Sequence, residues 1–174
     1  RLHPDKGFHL LIRAYAGLAA SHPDWDLVIL GEGGERSALQ AQVREAGLES
    51  RILMPGRVGN VGDWYDSADL YVLSSRFEGL SNTLQESMAS GLAAVSFDCD
   101  TGPREVVRDG VDGVLVRPNG DVPALSQALD AVMGNDAERL RMARAATEVR
   151  DRFSAERVLQ QWQELFDGVR ATGR

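Results

Sequence analysis

The sequence predicts an α/β fold, with a Rossmann-like parallel sheet that carries helices on both faces. Short apolar segments alternate along the chain with longer segments in which apolar residues recur at a helical period. This alternation predicts right-handed β-α-β units, and therefore parallel strands. The strand segments are apolar along most of their length, as expected for a sheet whose two faces are both covered.

The predicted elements follow one another without a linker or an internal repeat. The predicted strands are 25–30, 51–54, 70–73, 93–97 and 113–116. The predicted helices are 7–20, 35–46, 63–68, 83–90, 103–108, 123–133, 137–150 and 155–169. Gly47 and Gly91 each follow a predicted helix, as is typical of C-caps.

Tryptophan and apolar residues of the last helix are predicted to be packing residues. The spacing in this helix is that of a buried face. The residues concerned are Trp25, Trp64, Val158, Leu159, Trp162, Leu165 and Phe166.

The length of 174 residues fits one domain with a core of its own. A strand is expected before the first helix, and that strand is absent or cut short. We therefore expect residues 1–174 to be one domain of a longer protein.

Composition excludes several classes of function. Acidic residues number 26 against 19 basic ones, which disfavours nucleic acid as a partner. No apolar run approaches the roughly 18–20 residues of a membrane span. The single cysteine, Cys99, cannot form an intramolecular disulfide and fits a reducing compartment. We expect a cytoplasmic protein, with peripheral membrane attachment through another domain left open.

The segment 76–86 is the richest candidate for chemistry. Glu78 follows a predicted strand, and Ser81 and Asn82 are N-cap residue types just before a helix that contains Glu86. The amides from Leu80 to Leu84 would then be free to bind an anion such as phosphate. The alternative is that Ser81 only caps the helix, while Glu86 stabilises its positive end.

Arg1 and Lys6 are the candidate cations for such a phosphate site. They flank a short loop before the first helix, which lies at the carboxyl side of the predicted sheet. Arg1 could bind a phosphate with two parallel hydrogen bonds, and Lys6 could act as a point charge. The alternative is that both are ordinary surface residues. For Arg104 two alternatives remain: its side chain contacts the acceptor substrate, or it forms an ion pair with an acidic neighbour.

Five segments of the chain resemble one known family in order and spacing. The segments are Arg1-Leu…Lys6-Gly7, Leu27-Val-Ile-Leu-Gly-Glu-Gly33, Pro55-Gly56-Arg57, Glu78-Gly-Leu-Ser-Asn-Thr-Leu-Gln-Glu86 and Thr101-Gly-Pro-Arg-Glu105. Together they are similar to the carboxyl-terminal domain of retaining glycosyltransferases of the GT-B fold, of the glycosyltransferase group 1 or family 4 type. The last segment, with Asp109-Gly-Val-Asp-Gly-Val-Leu-Val116 after it, resembles members that build bacterial surface polysaccharides and glycans.

The resemblance implies a role for each matching position. Glu78 would contact the transferred sugar, and Glu86 would bind the ribose. Arg1 and Lys6 would neutralise the diphosphate as negative charge develops on the leaving nucleotide. The remaining positions implied to bind the donor are Gly33, Arg57, Gly79, Leu80, Ser81, Asn82 and Thr83. The resemblance also implies that no metal and no cofactor is needed.

The resemblance further implies the substrates. The donor would be a nucleoside-diphosphate sugar, with UDP favoured, and the acceptor a glycan or a lipid-linked glycan bound through the other domain. The isolated domain would be inactive. A non-catalytic sugar-nucleotide-binding module and a GT-B epimerase remain as alternatives. A GT-B phosphorylase is disfavoured because Lys6 is the only lysine. A dinucleotide-binding module is disfavoured because Arg36 replaces the last glycine of its fingerprint.

Overall fold

The computed structural model describes residues 1–171, and the predicted α/β class is confirmed. The last three residues of the predicted domain 1–174 lie outside the described residues. A short 3₁₀ helix, Pro4–Lys6, precedes the first α-helix. The strands are β1 (Leu27–Leu30), β2 (Ile52–Gly56), β3 (Tyr71–Leu73), β4 (Ala94–Phe97) and β5 (Gly113–Val116). The helices are α1 (Phe8–Ala16), α2 (Arg36–Glu45), α3 (Val61–Asp66), α4 (Asn82–Ala89), α5 (Pro103–Val106), α6 (Val122–Met133), α7 (Asp136–Ala146), α8 (Val149–Arg152) and α9 (Ala155–Ala171).

The strands form two parallel groups, where the sequence predicts one sheet. β1 pairs with β2, and β4 lies between β3 and β5. The register of β1 and β2 shifts after Val28, so that Leu30 pairs with Gly56. Strand β2 therefore continues through Pro55 to Gly56, beyond the predicted end at Met54, because Gly31 donates its amide to the carbonyl of Gly56 at 2.8 Å.

The strands β3 to β5 separate two hydrophobic clusters. Val95 and Phe97 of β4 point into the cluster that also contains α1, α2 and α6, whereas Ala94 points into the cluster with α4, α5, α7 and α8. This alternation is the two-residue period of a strand that is buried on both faces. In contrast, Val28 and Leu53 of the β1–β2 pair are exposed on one face.

The bounds predicted for two of the helices are wrong. The predicted helix 7–20 ends at Ala16, because the chain turns from Gly17 onward. The predicted helix 137–150 is broken into α7 and α8 at Thr147, whose hydroxyl donates to the carbonyl of Arg144 at 2.8 Å. The turn lets Arg150 donate to the carbonyl of Ala89 at the end of α4.

The packing predicted for α9 is wrong within this chain. Its apolar face is exposed, from 42% for Val158 to 67% for Leu159, and Trp162 stacks on Phe166 of the same helix. Trp64 is also exposed, while Trp25 packs against the larger cluster beneath the guanidinium of Arg139. Spacing predicts an apolar face, but only tertiary contacts decide whether that face is covered.

Candidate functional site

The loops that follow the strands meet at the carboxyl edge of the sheet. In parallel α/β folds this edge is where ligands bind. Loop 74–81 follows β3 and lies beside loop 98–102, which follows β4. The threonine hydroxyl of Thr101 donates to the carbonyl of Glu78 at 2.7 Å, and joins the two loops.

Lys6 and Glu78 form a direct ion pair at this edge. The ammonium of Lys6 lies 2.6 Å from Oε1 of Glu78, although the two residues are 72 positions apart. The Glu78 side chain is only 10% exposed and that of Lys6 is 36% exposed. The structure thus brings together two of the three predicted catalytic residues.

Two serines hold the partners of this ion pair. The hydroxyl of Ser75 donates to Oε1 of Glu78 at 2.7 Å, and the hydroxyl of Ser74 donates to the carbonyl of Lys6 at 2.8 Å. Both serines are buried. The sequence analysis did not select these two serines. The only indication in the sequence was that two small polar residues follow an apolar strand, directly before the loop that contains Glu78.

Two glycines, Gly7 and Gly102, allow the neighbouring loops of this edge to approach each other closely. Gly7 has φ +62° and a Cβ there would lie 2.0 Å from the carbonyl oxygen of Ser74. Gly102 has φ +89°, and its Cβ would lie 1.8 Å from the carbonyl oxygen of Gly79. Both contacts are with backbone, so neither neighbour can move aside without shifting its loop.

Gly7→Ala is expected to lower the free energy of unfolding well beyond the cost of its backbone conformation. Gly47 provides the matched control, because it has φ +66° but no atom within 4 Å of its Cβ position. We expect Gly47→Ala to cost about 1–2 kcal/mol, and Gly7→Ala about 1–3 kcal/mol more from the overlap with Ser74. Urea unfolding of both variants measures the difference. Equal losses would contradict the close contact between Gly7 and Ser74.

A pocket of about 310 Å³ opens beside the ion pair. It is lined by Arg76, Phe77, Glu78, Gly79, Cys99, Asp100 and Thr101. Burial raises the pKa of the Cys99 thiol, with the Glu78 carboxylate adding to the shift. Cys99 is buried and donates to the carbonyl of Ser75 at 3.1 Å, as expected of a structural thiol.

The amino terminus of α4 lies at the same edge. Ser81 occupies the N-cap position, but its side chain makes no capping hydrogen bond, which argues against the alternative that Ser81 only caps the helix. Its hydroxyl lies instead 3.3 Å from that of Thr83. Leu80, Asn82 and Thr83 are exposed, and the first amides of α4 have no side-chain cap. Free amides at a helix start are suited to an anion.

Glu86 is the fifth residue of α4, just past the first turn of the helix. It is exposed, and the phenol of Tyr65 lies 3.5 Å from its Oε2. Burial, with the nearby Glu86 carboxylate, raises the pKa of Tyr65 to about 12. Tyr71 donates to the hydroxyl of Thr83 at 2.8 Å, and burial also raises the pKa of this phenol.

Arg1 and Gly33 lie together, apart from the Lys6–Glu78 pair. The amide of Leu2 donates to the carbonyl of Glu32 at 2.9 Å, and a Cβ on Gly33 would lie 2.2 Å from the carbonyl oxygen of Leu2. The side chain of Arg1 is exposed and has no ion pair within residues 1–171. Arg57 is exposed directly after β2. The loops that carry these predicted site residues thus follow β1, β2 and β3 at the carboxyl edge of the sheet, where Lys6 and Glu78 are in direct contact.

The ion pair with Asp98 decides between the two alternatives for Arg104. Its buried carboxylate accepts Nε of Arg104 at 2.9 Å on one oxygen and Nε of Arg117 at 2.6 Å on the other. Arg104 thus pairs with an acidic neighbour. Asp98 thereby anchors the segment 98–100, of which Cys99 and Asp100 line the pocket.

Neither a metal cluster nor a membrane span is found in residues 1–171. Within residues 1–171, no group of three or more His, Cys, Asp or Glu side chains could hold a metal ion. In the same part of the chain, no helix has the length and apolar character of a membrane span. Independence from metal stays a prediction.

Comparison with known proteins identifies the class. The family model described as glycosyl transferases group 1 matches residues 1–149, so the chain belongs to this family. It is 36% identical over 167 residues to the exopolysaccharide phosphotransferase SCO2592 of Streptomyces coelicolor, covering 95% of the chain and 18% of that protein. It is 37% identical over 139 residues to a Campylobacter jejuni N-acetylgalactosaminyltransferase that acts on a diphospho-undecaprenol substrate, covering 80% of the chain and 37% of that enzyme.

Solved structures have the same fold. The structure of Anabaena Alr3699/HepE in complex with UDP matches with a TM-score of 0.85 and 26% identity, over 97% of this chain and 47% of that chain. Staphylococcus aureus TarM matches with a TM-score of 0.88 and 24% identity, over 95% of this chain and 33% of that chain. The chain thus spans less than half the length of each of these relatives.

Proposed function

We propose that this chain is the donor-binding domain of a retaining glycosyltransferase. It binds a nucleoside-diphosphate sugar, and the whole protein transfers the sugar to a glycan or lipid-linked acceptor. The observation that carries this proposal is the Lys6–Glu78 ion pair beside the uncapped start of α4. A cation and free amides suit a diphosphate, and a carboxylate suits sugar hydroxyls.

The residues divide the work of binding and transfer. Lys6, with Arg1, stabilises the negative charge that grows on the diphosphate as the bond to the sugar breaks, so no metal is required for that step. Glu78 binds the transferred sugar, Glu86 binds the ribose, and the first amides of α4 bind phosphate oxygens. Gly33 and Arg57 border the nucleotide at the loops after β1 and β2.

Relatives support UDP as the nucleotide. One solved structure of Anabaena HepE, 26% identical to this chain, is a complex with UDP and glucose. Among the curated relatives, a Salmonella lipopolysaccharide 1,6-galactosyltransferase is 34% identical over 108 residues. These names support a UDP-hexose as donor and a bacterial surface glycan as acceptor.

Calorimetric titration of the whole protein with UDP, GDP and ADP tests the proposal. We expect UDP to bind at least about tenfold more tightly than the other two. Glu86→Ala should weaken UDP binding by about tenfold or more, because it removes hydrogen bonds to a charged group. Glu45→Ala, which removes an exposed glutamate from α2, is the matched control and should leave binding unchanged. A folded protein that binds none of the three nucleotides would overturn the proposal.

A further inference from the structure

The two oxygens of the Glu78 carboxylate differ in their hydrogen bonds. Its Oε1 accepts two hydrogen bonds, from Lys6 at 2.6 Å and from Ser75 at 2.7 Å. Within residues 1–171, no group donates a hydrogen bond to Oε2. One oxygen is thus fixed by the protein, and the other is available at the pocket that Glu78 lines.

The two hydrogen-bond donors to Oε1 of Glu78, Ser75 and Lys6, differ in how easily they can move away from it. Ser75 is 1% exposed, and its carbonyl accepts the thiol of Cys99, which is also buried. Lys6 is half-buried on a flexible four-carbon stem. A diphosphate that approaches the edge competes with Glu78 for the Lys6 ammonium, but it cannot draw the buried Ser75 hydroxyl away.

Loss of Lys6 from the pair would leave a poorly solvated carboxylate. Burying a charge without partners is costly, and a carboxylate with no fixed donor can rotate among rotamers. The hydroxyl of Ser75 is then the only protein donor within residues 1–171 that still holds Oε1.

We infer that Ser75 is a positioning residue for the donor sugar. It holds Oε1 of Glu78 when Lys6 changes partner from Glu78 to the donor diphosphate, and so keeps Oε2 directed at a hydroxyl of the sugar. The inference rests on the proposed function. It assigns Lys6 to the nucleotide part of the donor, and the Ser75–Glu78 pair to the sugar part.

The test separates these two parts by titrating the whole protein with UDP and with a UDP-sugar. UDP-glucose, UDP-galactose and their N-acetylated forms are compared on the unmodified protein, and the tightest binder serves as the probe. Ser75→Ala should weaken binding of the UDP-sugar by about tenfold, the loss expected for a hydrogen bond to a charged group, and leave UDP binding unchanged. Lys6→Met should weaken the binding of both UDP and the UDP-sugar.

Further variants distinguish positioning from packing. Ser75→Cys replaces the hydroxyl by a thiol at the same position, and the thiol donates only weakly, so this variant should behave as Ser75→Ala. It also serves if Ser75→Ala does not fold. Ser96→Ala is the control, because Ser96 is another buried serine whose hydroxyl donates to a backbone carbonyl, that of Phe97, at 2.9 Å. It should leave the ratio of the two affinities unchanged.

The outcomes separate the inference from the proposed function. A protein that binds the UDP-sugar with the same preference over UDP after Ser75→Ala and Ser75→Cys would overturn the inference alone. Equal weakening of UDP and UDP-sugar by these variants would also overturn it, since Ser75 would then act on the whole site. An unmodified protein that binds neither ligand would overturn the proposed function, and the inference with it.

Discussion

Lys6→Met is expected to lower kcat/KM for sugar transfer by about 10²–10³-fold, or roughly 2.7–4 kcal/mol of transition-state stabilisation. The ammonium is the cation in direct contact with Glu78, and we assign it to the diphosphate on which negative charge develops. Methionine keeps the unbranched stem but removes the charge, so the loss reports the electrostatic contribution. Initial rates with the tightest-binding UDP-sugar, at varied donor concentration, give the change.

Arg13→Met is the control for Lys6→Met. Arg13 is an exposed basic residue on α1, and its replacement changes the net charge by the same amount. We expect a rate within about twofold of the unmodified protein, because an exposed charge away from the site is largely screened. A rate for Lys6→Met that matches the Arg13→Met rate would remove Lys6 from the catalytic residues.

Asp112→Ala is expected to lower the free energy of unfolding by about 3 kcal/mol. The carboxylate of Asp112 is fully buried and accepts the amide of Arg108 at 2.7 Å, Nε of Arg108 at 2.6 Å and Nη1 of Arg152 at 3.2 Å. It therefore ties the segment after α5 to α8, and its removal leaves several donors without an acceptor. Urea unfolding followed by circular dichroism measures the loss.

Asp136→Ala is the matched control for Asp112→Ala. Asp136 also accepts from an arginine, with 2.6 Å to Nη1 of Arg139, but its side chain is 78% exposed. Water solvates the Asp136 carboxylate and screens its attraction to Arg139, so we expect a loss below about 1 kcal/mol. Similar losses for the two variants would show that burial of Asp112 does not determine its contribution.

The sequence was sufficient for the order of strands and helices. The apolar period changes at each boundary, and glycines such as Gly47, with φ +66°, end helices where the pattern predicts an end. The candidate site residues could also be named from the sequence, because the family's segments follow one another at fixed spacing. The loops of parallel strands then place them at one edge by topology alone.

The sequence was not sufficient for contacts between distant segments. Nothing in the local pattern indicates that Lys6 reaches Oε1 of Glu78, or that Ser75 shares that oxygen. The pairing of Arg104 with Asp98 was likewise open, because Arg104 has several acidic neighbours in sequence. Such contacts depend on angstrom-scale distances between loops.

What the sequence by itself determined is therefore the fold class, the element order and the family. These follow from periodicity and from segments whose residues are close in the chain. Only the tertiary structure decided the division of β1 to β5 into two groups, the exposed apolar face of α9 and the ion pair between Lys6 and Glu78. The physical reason is that burial and charge pairing depend on which surfaces meet, and distant segments meet only once the whole chain has packed.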